Sequence, residues 1–187
     1  MPTLDTKKAV QAVAVLLKQA PGRQMPYLQL LKLLYIADRE SLRETMRPVL
    51  GGKTVAMKNG PLHSDVYDLI KYQNQAWTCY INLYEYDVVL TDDPGDSELS
   101  DYEIGLLSNI AEKYSGFTEW QLVDLTHGFS EWLKNYPNPT ENTSRPIHLG
   151  DILDAVGLQA QKDEILTKIS SESREDQAFR DMANSCD

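Results

Sequence analysis

Residues 27–44 read YLQLLKLLYIADRESLRE. Over 27–37 only Gln29 and Lys32 are polar. A helix that is apolar nearly all round is buried nearly all round. This segment is therefore expected to be the central helix of the core. Met25-Pro26 sets its start, because a proline in the first turn gives up an N–H that has no helical partner there. At Asp38-Arg39-Glu40 the pattern turns polar, and the helix is expected to emerge into solvent.

On the N-terminal side, Asp5 or Thr6 caps a helix whose Val10, Val13, Ala14 and Leu17 share one stripe. Pro21-Gly22 ends it. On the C-terminal side, Pro48 and Gly51-Gly52 mark a loop. Residues 54–58 alternate over a short run and read as a strand. Asn59-Gly60 is a turn signal, and Pro61 fixes φ just ahead of a helix carrying Val66, Leu69 and Ile70. Ser64 and Asp65 suit that helix start as caps. Residues 79–90, CYINLYEYDVVL, alternate aromatic and β-branched side chains, with Tyr84, Tyr86, Val88 and Leu90 on one face. They predict one strand or two, pairing with the 54–58 strand.

Ser100/Glu103 and Thr118/Gln121 have capping-box spacing and open two further helices. Short helices are expected around Trp132-Leu133 and over 151–156, with a loop between them at PNPTENT, 137–143. Trp120 and Trp132 are expected in the core, with a partner anchor as the alternative role for either. Beyond residue 170 large apolar side chains are sparse, which predicts a frayed helix or a mobile tail. The fold class is mostly α, or α+β by strict counting: a compact helical domain around a central buried helix, with a small two- to three-stranded antiparallel sheet. Residues 1–157 are expected to form one domain and 158–187 an acidic C-terminal helix or tail.

The chain has 187 residues, enough for one domain with a sizeable core. No apolar run is long enough to span a bilayer, and the N-terminus lacks a signal-peptide apolar region. A cytoplasmic location follows as the expectation. Cys79 and Cys186 make neither a disulfide framework nor a CxxC. His63, His127 and His148 lack metal-ligand spacing, so no metal and no cofactor are expected. The net charge is 18 − 28 = −10. That disfavours nucleic-acid binding through the whole surface and suits a basic partner. The charge is uneven, with six acidic and no basic residues over 91–103, and five basic against two acidic over 39–58. No nucleophile-elbow, phosphate-loop or zinc-protease motif is present. His63-Ser64-Asp65 holds triad residue types, but neighbours on a helix start point in different directions and make no relay. No catalytic set is assigned.

Three pieces of the chain carry a resemblance to a known family. The first is YLQLLKLLYIADRESL, with its Leu-Leu-Tyr-x-Ala core. The second is VAMKNGPLHSDVYDLIK, a strand, a Gly-Pro step and a helix with a Val-Tyr pair. The third is ELSDYEIGLLSNIAEKYSGFTEWQLVDLTHGFSEWLK, with Leu-Thr-His followed by a Trp five residues after the His. In their order and spacing they resemble the Panacea domain family, the SocA-like antitoxin domains. The resemblance implies a mostly helical fold and a non-enzymatic antitoxin of a two-gene toxin–antitoxin system, often linked to phage defence or carried on phage. It implies direct binding of a cognate protein toxin, the product of the adjacent gene. Within the resemblance the alternative is a proteolytic adaptor handing the toxin to an ATP-dependent protease, with a protease or chaperone as a further partner. Apart from it, the basic 39–58 stretch and His63/His127 leave open a nucleic-acid-associated regulator or an uncharacterised hydrolase. Self-association into a homo-oligomer stays open. Candidate partner-binding residues are Lys58, Asn59, Asp65 and Tyr67 on the second piece, with Tyr35 and Arg39 below them. Gly60, Pro61, His127 and Trp132 are read as structural.

Overall fold

A computed structural model describes residues 3–136 and 143–184. The chain opens with α1 (Thr6–Gln19), capped by Asp5, whose carboxylate accepts from the Lys8 N–H. A short strand, β1 (Gln24–Pro26), leads into α2 (Tyr27–Thr45). Then come β2 (Thr54–Met57), β3 (Gly60–His63), α3 (Ser64–Tyr72) and α4 (Gln75–Thr78). β4 (Ile81–Tyr84) and β5 (Asp87–Leu90) follow. α5 (Asp101–Lys113) and α6 (Glu119–His127) start on the two capping boxes expected at Ser100 and Thr118. The chain continues through α7 (Ser130–Asn135), β6 (Arg145–Ile147), α8 (Leu149–Ala155) and α9 (Lys162–Asn184). The loop expected over 137–143 lies, but for its last residue, outside the described residues.

The mostly helical class holds, and α2 is the central helix. Every residue from Leu30 to Asp38 is buried, and α2 packs on α5, α6 and β3. Each fully buried leucine in this run contributes roughly 1.5–3 kcal/mol. α1 closes the opposite side against α5. A second apolar cluster joins Tyr35, Ala56, Trp132, Ile152 and Leu153 to Ile165 and Ile169 of α9. The tail expected to fray or move past residue 170 is helical to Asn184.

Five local expectations change. The described residues form two three-stranded antiparallel sheets, β1-β5-β4 and β3-β2-β6. Residues 79–90 therefore do not pair with the 54–58 strand. They fold into the β4–β5 hairpin, whose partner is β1, with Met25 opposite Val88. The cause is Pro26: a residue before proline is driven into extended backbone, so Met25 makes a strand and α2 starts only after the proline. The hairpin turn, with Glu85 at φ 56°, also splits the expected aromatic face, leaving Tyr84 and Tyr86 exposed while Val88 and Leu90 are buried. Pro61 lies in strand β3 rather than at a helix start, in an edge position that tolerates a missing N–H. Asp38 does not emerge into solvent. It is 5% exposed, because its carboxylate accepts the Leu50 N–H at 2.9 Å and closes the loop after α2. Trp132 is in the core, but Trp120 is 57% exposed.

Candidate functional site

The three pieces that carry the resemblance converge on the β2–β3 hairpin. Its strands are joined by Lys58-Asn59, both exposed. Three of its backbone carbonyls are held by side chains from helices outside its sheet. Trp132 Nε1 of α7 donates to the Met57 carbonyl at 2.9 Å. His127 Nε2, at the end of α6, lies 3.1 Å from the Lys58 carbonyl. A carbonyl only accepts, so this nitrogen carries the proton. Lys32 Nζ of α2 donates to the Pro61 carbonyl at 2.8 Å. The His127 ring stacks on Trp132 at 4.1 Å and 16°, and Trp132 in turn on Tyr136 at 5.4 Å.

Gly60 lies at the centre of this brace. Its φ is 94°, a conformation that side-chain-bearing residues rarely adopt. A Cβ there would stand 2.7 Å from Thr126 Oγ1 and 2.8 Å from Lys32 Nζ. Both the backbone conformation and the close approach therefore require glycine.

Lys32 is fully buried. Burial pushes its ammonium down to about 7, since removing a charge from water without a counter-charge favours the neutral amine. Burial also lowers His127, assisted by the charge on Lys32 and opposed by the Lys58 carbonyl and Asp124.

A second polar network runs beneath the hairpin. His63 Nε2 lies 3.3 Å from Asp38 Oδ2, both buried. The alignment is too poor for a hydrogen bond, so the contact is electrostatic. Burial raises the Asp38 carboxyl, against the pull of His63 and the N–H groups of Leu50, Val49 and Gly51. Glu131 Oε1 accepts from the Tyr35 hydroxyl at 3.3 Å and from Arg39 Nε at 3.0 Å. The Arg39 guanidinium also lies 4.3 Å over the Phe129 ring. Burial, then the Glu131 charge, push the Tyr35 hydroxyl well above its ordinary value.

The candidate partner-binding residues divide accordingly. Lys58 and Asn59 form the exposed hairpin tip. Tyr67 is half-buried against Tyr27, with ring centroids 6.2 Å apart. Asp65 does not cap its own helix. His63 holds the N-cap position without a side-chain bond, and Asp65 Oδ2 instead accepts the Lys53 N–H at 2.8 Å. Tyr35 is 1% exposed and Arg39 is committed to Glu131, so neither presents a free side chain at the surface. Gly60, Pro61, His127 and Trp132 all meet in the brace.

Lys32, Thr126 and Glu131 belong to the site without any sequence motif that marks them. Lys32 did leave a signal: a lone charge inside an apolar helix needs a buried acceptor. Glu131 left none, because its partners lie 92 and 96 residues away. Among the described residues, no helix is long and apolar enough to cross a membrane, and no group of three or more His, Cys, Asp or Glu is placed to hold a metal ion.

No curated protein and no solved structure matches the chain. The family model described as antitoxin SocA-like, Panacea domain, matches residues 30–133, from α2 through the hairpin to the Trp132 brace. With more than half of its 187 residues matched and the three pieces joined in one site, the chain belongs to the SocA-like antitoxin, Panacea domain family.

Proposed function

We propose that this chain is an antitoxin that neutralises a cognate protein toxin by direct protein–protein binding. Family membership carries the reading. The net charge of −10 supports it, because it favours encounter with a basic surface. The exposed hairpin tip, Lys58 and Asn59, is a rim held in one geometry by Lys32, His127 and Trp132. Tyr67 and Asp65 continue the chain from that rim, and Arg39 and Tyr35 support it from below. A tip fixed before binding loses little entropy on association.

The test is co-expression with the product of the adjacent open reading frame. That product should arrest growth alone, this chain should restore growth, and the two should co-purify at equal stoichiometry. A neighbour that is harmless alone, or that stays toxic in the presence of this chain, overturns the reading. Rescue without a stable complex, with toxin levels falling only when an ATP-dependent protease is present, would replace blockade by delivery to proteolysis.

A further inference from the structure

The geometry points to the groove between Trp120 and Tyr86 as the docking site for an arginine- or lysine-bearing segment of the partner protein. This rests on the reading above that the chain binds a protein toxin. The groove measures about 450 Å³ and lies between the start of α6, the β4–β5 turn and the start of α2, with Asn59 of the hairpin tip at its wall. Its aromatic surface is open: Trp120 is 57% and Tyr86 73% exposed. Neither side chain is needed to fill the core, and Trp and Tyr in a concave setting are the residue types that dominate binding energy at interfaces.

The chemistry of the walls selects the occupant. Glu85, Asp87 and Glu119 line the groove and, among the described residues, no Lys or Arg does. None of these three carboxylates has an ion-pair partner among the described residues. The carboxylates of Asp93, Glu98 and Glu103, by contrast, are each met by a lysine of α1. A cation entering the groove would meet unneutralised carboxylates and the π faces of Trp120 and Tyr86 together. An acidic or purely apolar segment would leave those carboxylates desolvated and unpaired.

Two parts of the wall, Tyr86 and Asn59, are held before any partner arrives. The Tyr27 N–H donates to the Tyr86 carbonyl at 2.8 Å, and the two rings stack at 6.4 Å. Asn59 is positioned by the hairpin brace described above.

The experiment measures binding of the adjacent gene product to the full chain by calorimetry, alongside growth rescue. Three variants are compared with the wild type: Trp120→Ala/Tyr86→Ala, Asp87→Lys/Glu119→Lys, and the control Tyr72→Ala, an exposed aromatic outside the groove (69%). Circular dichroism melts check that each variant is folded. Both groove variants should weaken Kd by at least about tenfold and lose growth rescue, while Tyr72→Ala stays within about threefold. Wild-type affinity should fall as salt rises. Peptides tiled across the neighbour and retained by the wild type alone should carry Arg or Lys. Tight wild-type binding that both groove variants keep within about threefold overturns the groove and leaves direct binding standing. Retained peptides without a basic residue overturn the assigned chemistry. A wild-type chain that does not bind the neighbour overturns the direct-binding reading, and the groove with it.

Discussion

Lys32 makes a prediction whose sign and size come from its surroundings. Its ammonium is buried and donates to the Pro61 carbonyl, and burial lowers its pKa from 10.5 to about 7. The unfolded chain binds this proton up to its ordinary value near 10.5, and the folded chain releases it near 7. Between those values the unfolded state holds more protons, so stability rises with pH. Below about 7 both states are protonated and the full penalty for burying the charge applies. That penalty is on the order of 4–5 kcal/mol, at about 1.4 kcal/mol for each pH unit separating the two values. From about pH 7 to pH 9 the relief amounts to about 2 kcal/mol. The perturbation is Lys32→Met, which keeps an unbranched stem one atom shorter and removes the titrating group. Urea unfolding of both proteins at several pH values is the assay, and subtracting the two profiles cancels every other lysine and tyrosine. The wild type should gain on the variant by about 2 kcal/mol over that interval. At pH 7 the variant should be no less stable than the wild type, despite losing a hydrogen bond of about 1 kcal/mol. Parallel profiles, or a wild type that loses ground as pH rises, would refute the account of a buried, unpaired ammonium.

The hairpin and the network beneath it give further outcomes. Gly60→Ala should lower the unfolding free energy by roughly 2–4 kcal/mol, combining the positive-φ cost with displacement of Lys32. In a Lys32→Met background that loss should shrink, and an undiminished loss would show that the Nζ contact is not its source. Arg39→Ala leaves the Glu131 side chain, 0% exposed, without its cation, and should cost roughly 3 kcal/mol in urea titrations. Arg39→Met/Glu131→Leu should recover most of it, and failure to recover would place the loss in packing on Phe129. Trp132→Phe keeps an aromatic ring against His127 but leaves the Met57 carbonyl without its donor, and should cost about 1–3 kcal/mol.

Sequence told most where the determinants are local. The run of Leu, Tyr and Ile over 30–36 identified α2 as the central helix, because a helix without a polar face has nowhere else to be. The boxes at Ser100 and Thr118 gave the starts of α5 and α6 because both halves of each motif lie within one turn. What escaped depends on partners distant in the chain. Asp38 looked like a solvent-facing residue, and only the fold brings His63 and the Leu50 N–H to it. Met25 opposite Val88 is a register set by two hairpins meeting. Gly60-Pro61 was legible as a turn, but its close approach to Thr126 needed α6 to be in place. The groove is illegible for the same reason: Trp120 reads as a core residue or a partner anchor, and only the short α6 turning its first residues outward decides between them.

α6 also links the brace to the groove, and that link can be tested at His127. The helix starts with Glu119 and Trp120 at the groove and ends with Thr126 and His127 at the hairpin. One element therefore sets the distance between Trp120 and the tip that carries Asn59. Replacing His127 by Asn removes the stack on Trp132 and the bond to the Lys58 carbonyl together, so the tip can shift relative to Trp120. Stability should fall by about 1–2 kcal/mol, and affinity for the proposed toxin partner should fall with it even though His127 does not line the groove. A pH signature separates this from a general loss of fold. Burial holds His127 below its ordinary 6.5 in the folded protein, so the unfolded chain takes up the proton first. Its contribution is present above about 6.5 and is lost as pH falls toward the lower folded value. Wild-type stability and affinity should decline together on that descent, and the His127→Asn protein, already lower in both, should decline less. If the variant loses stability but binds the toxin as tightly as the wild type at neutral pH, the hairpin tip is not a wall of the binding site. In that case the brace serves the fold alone.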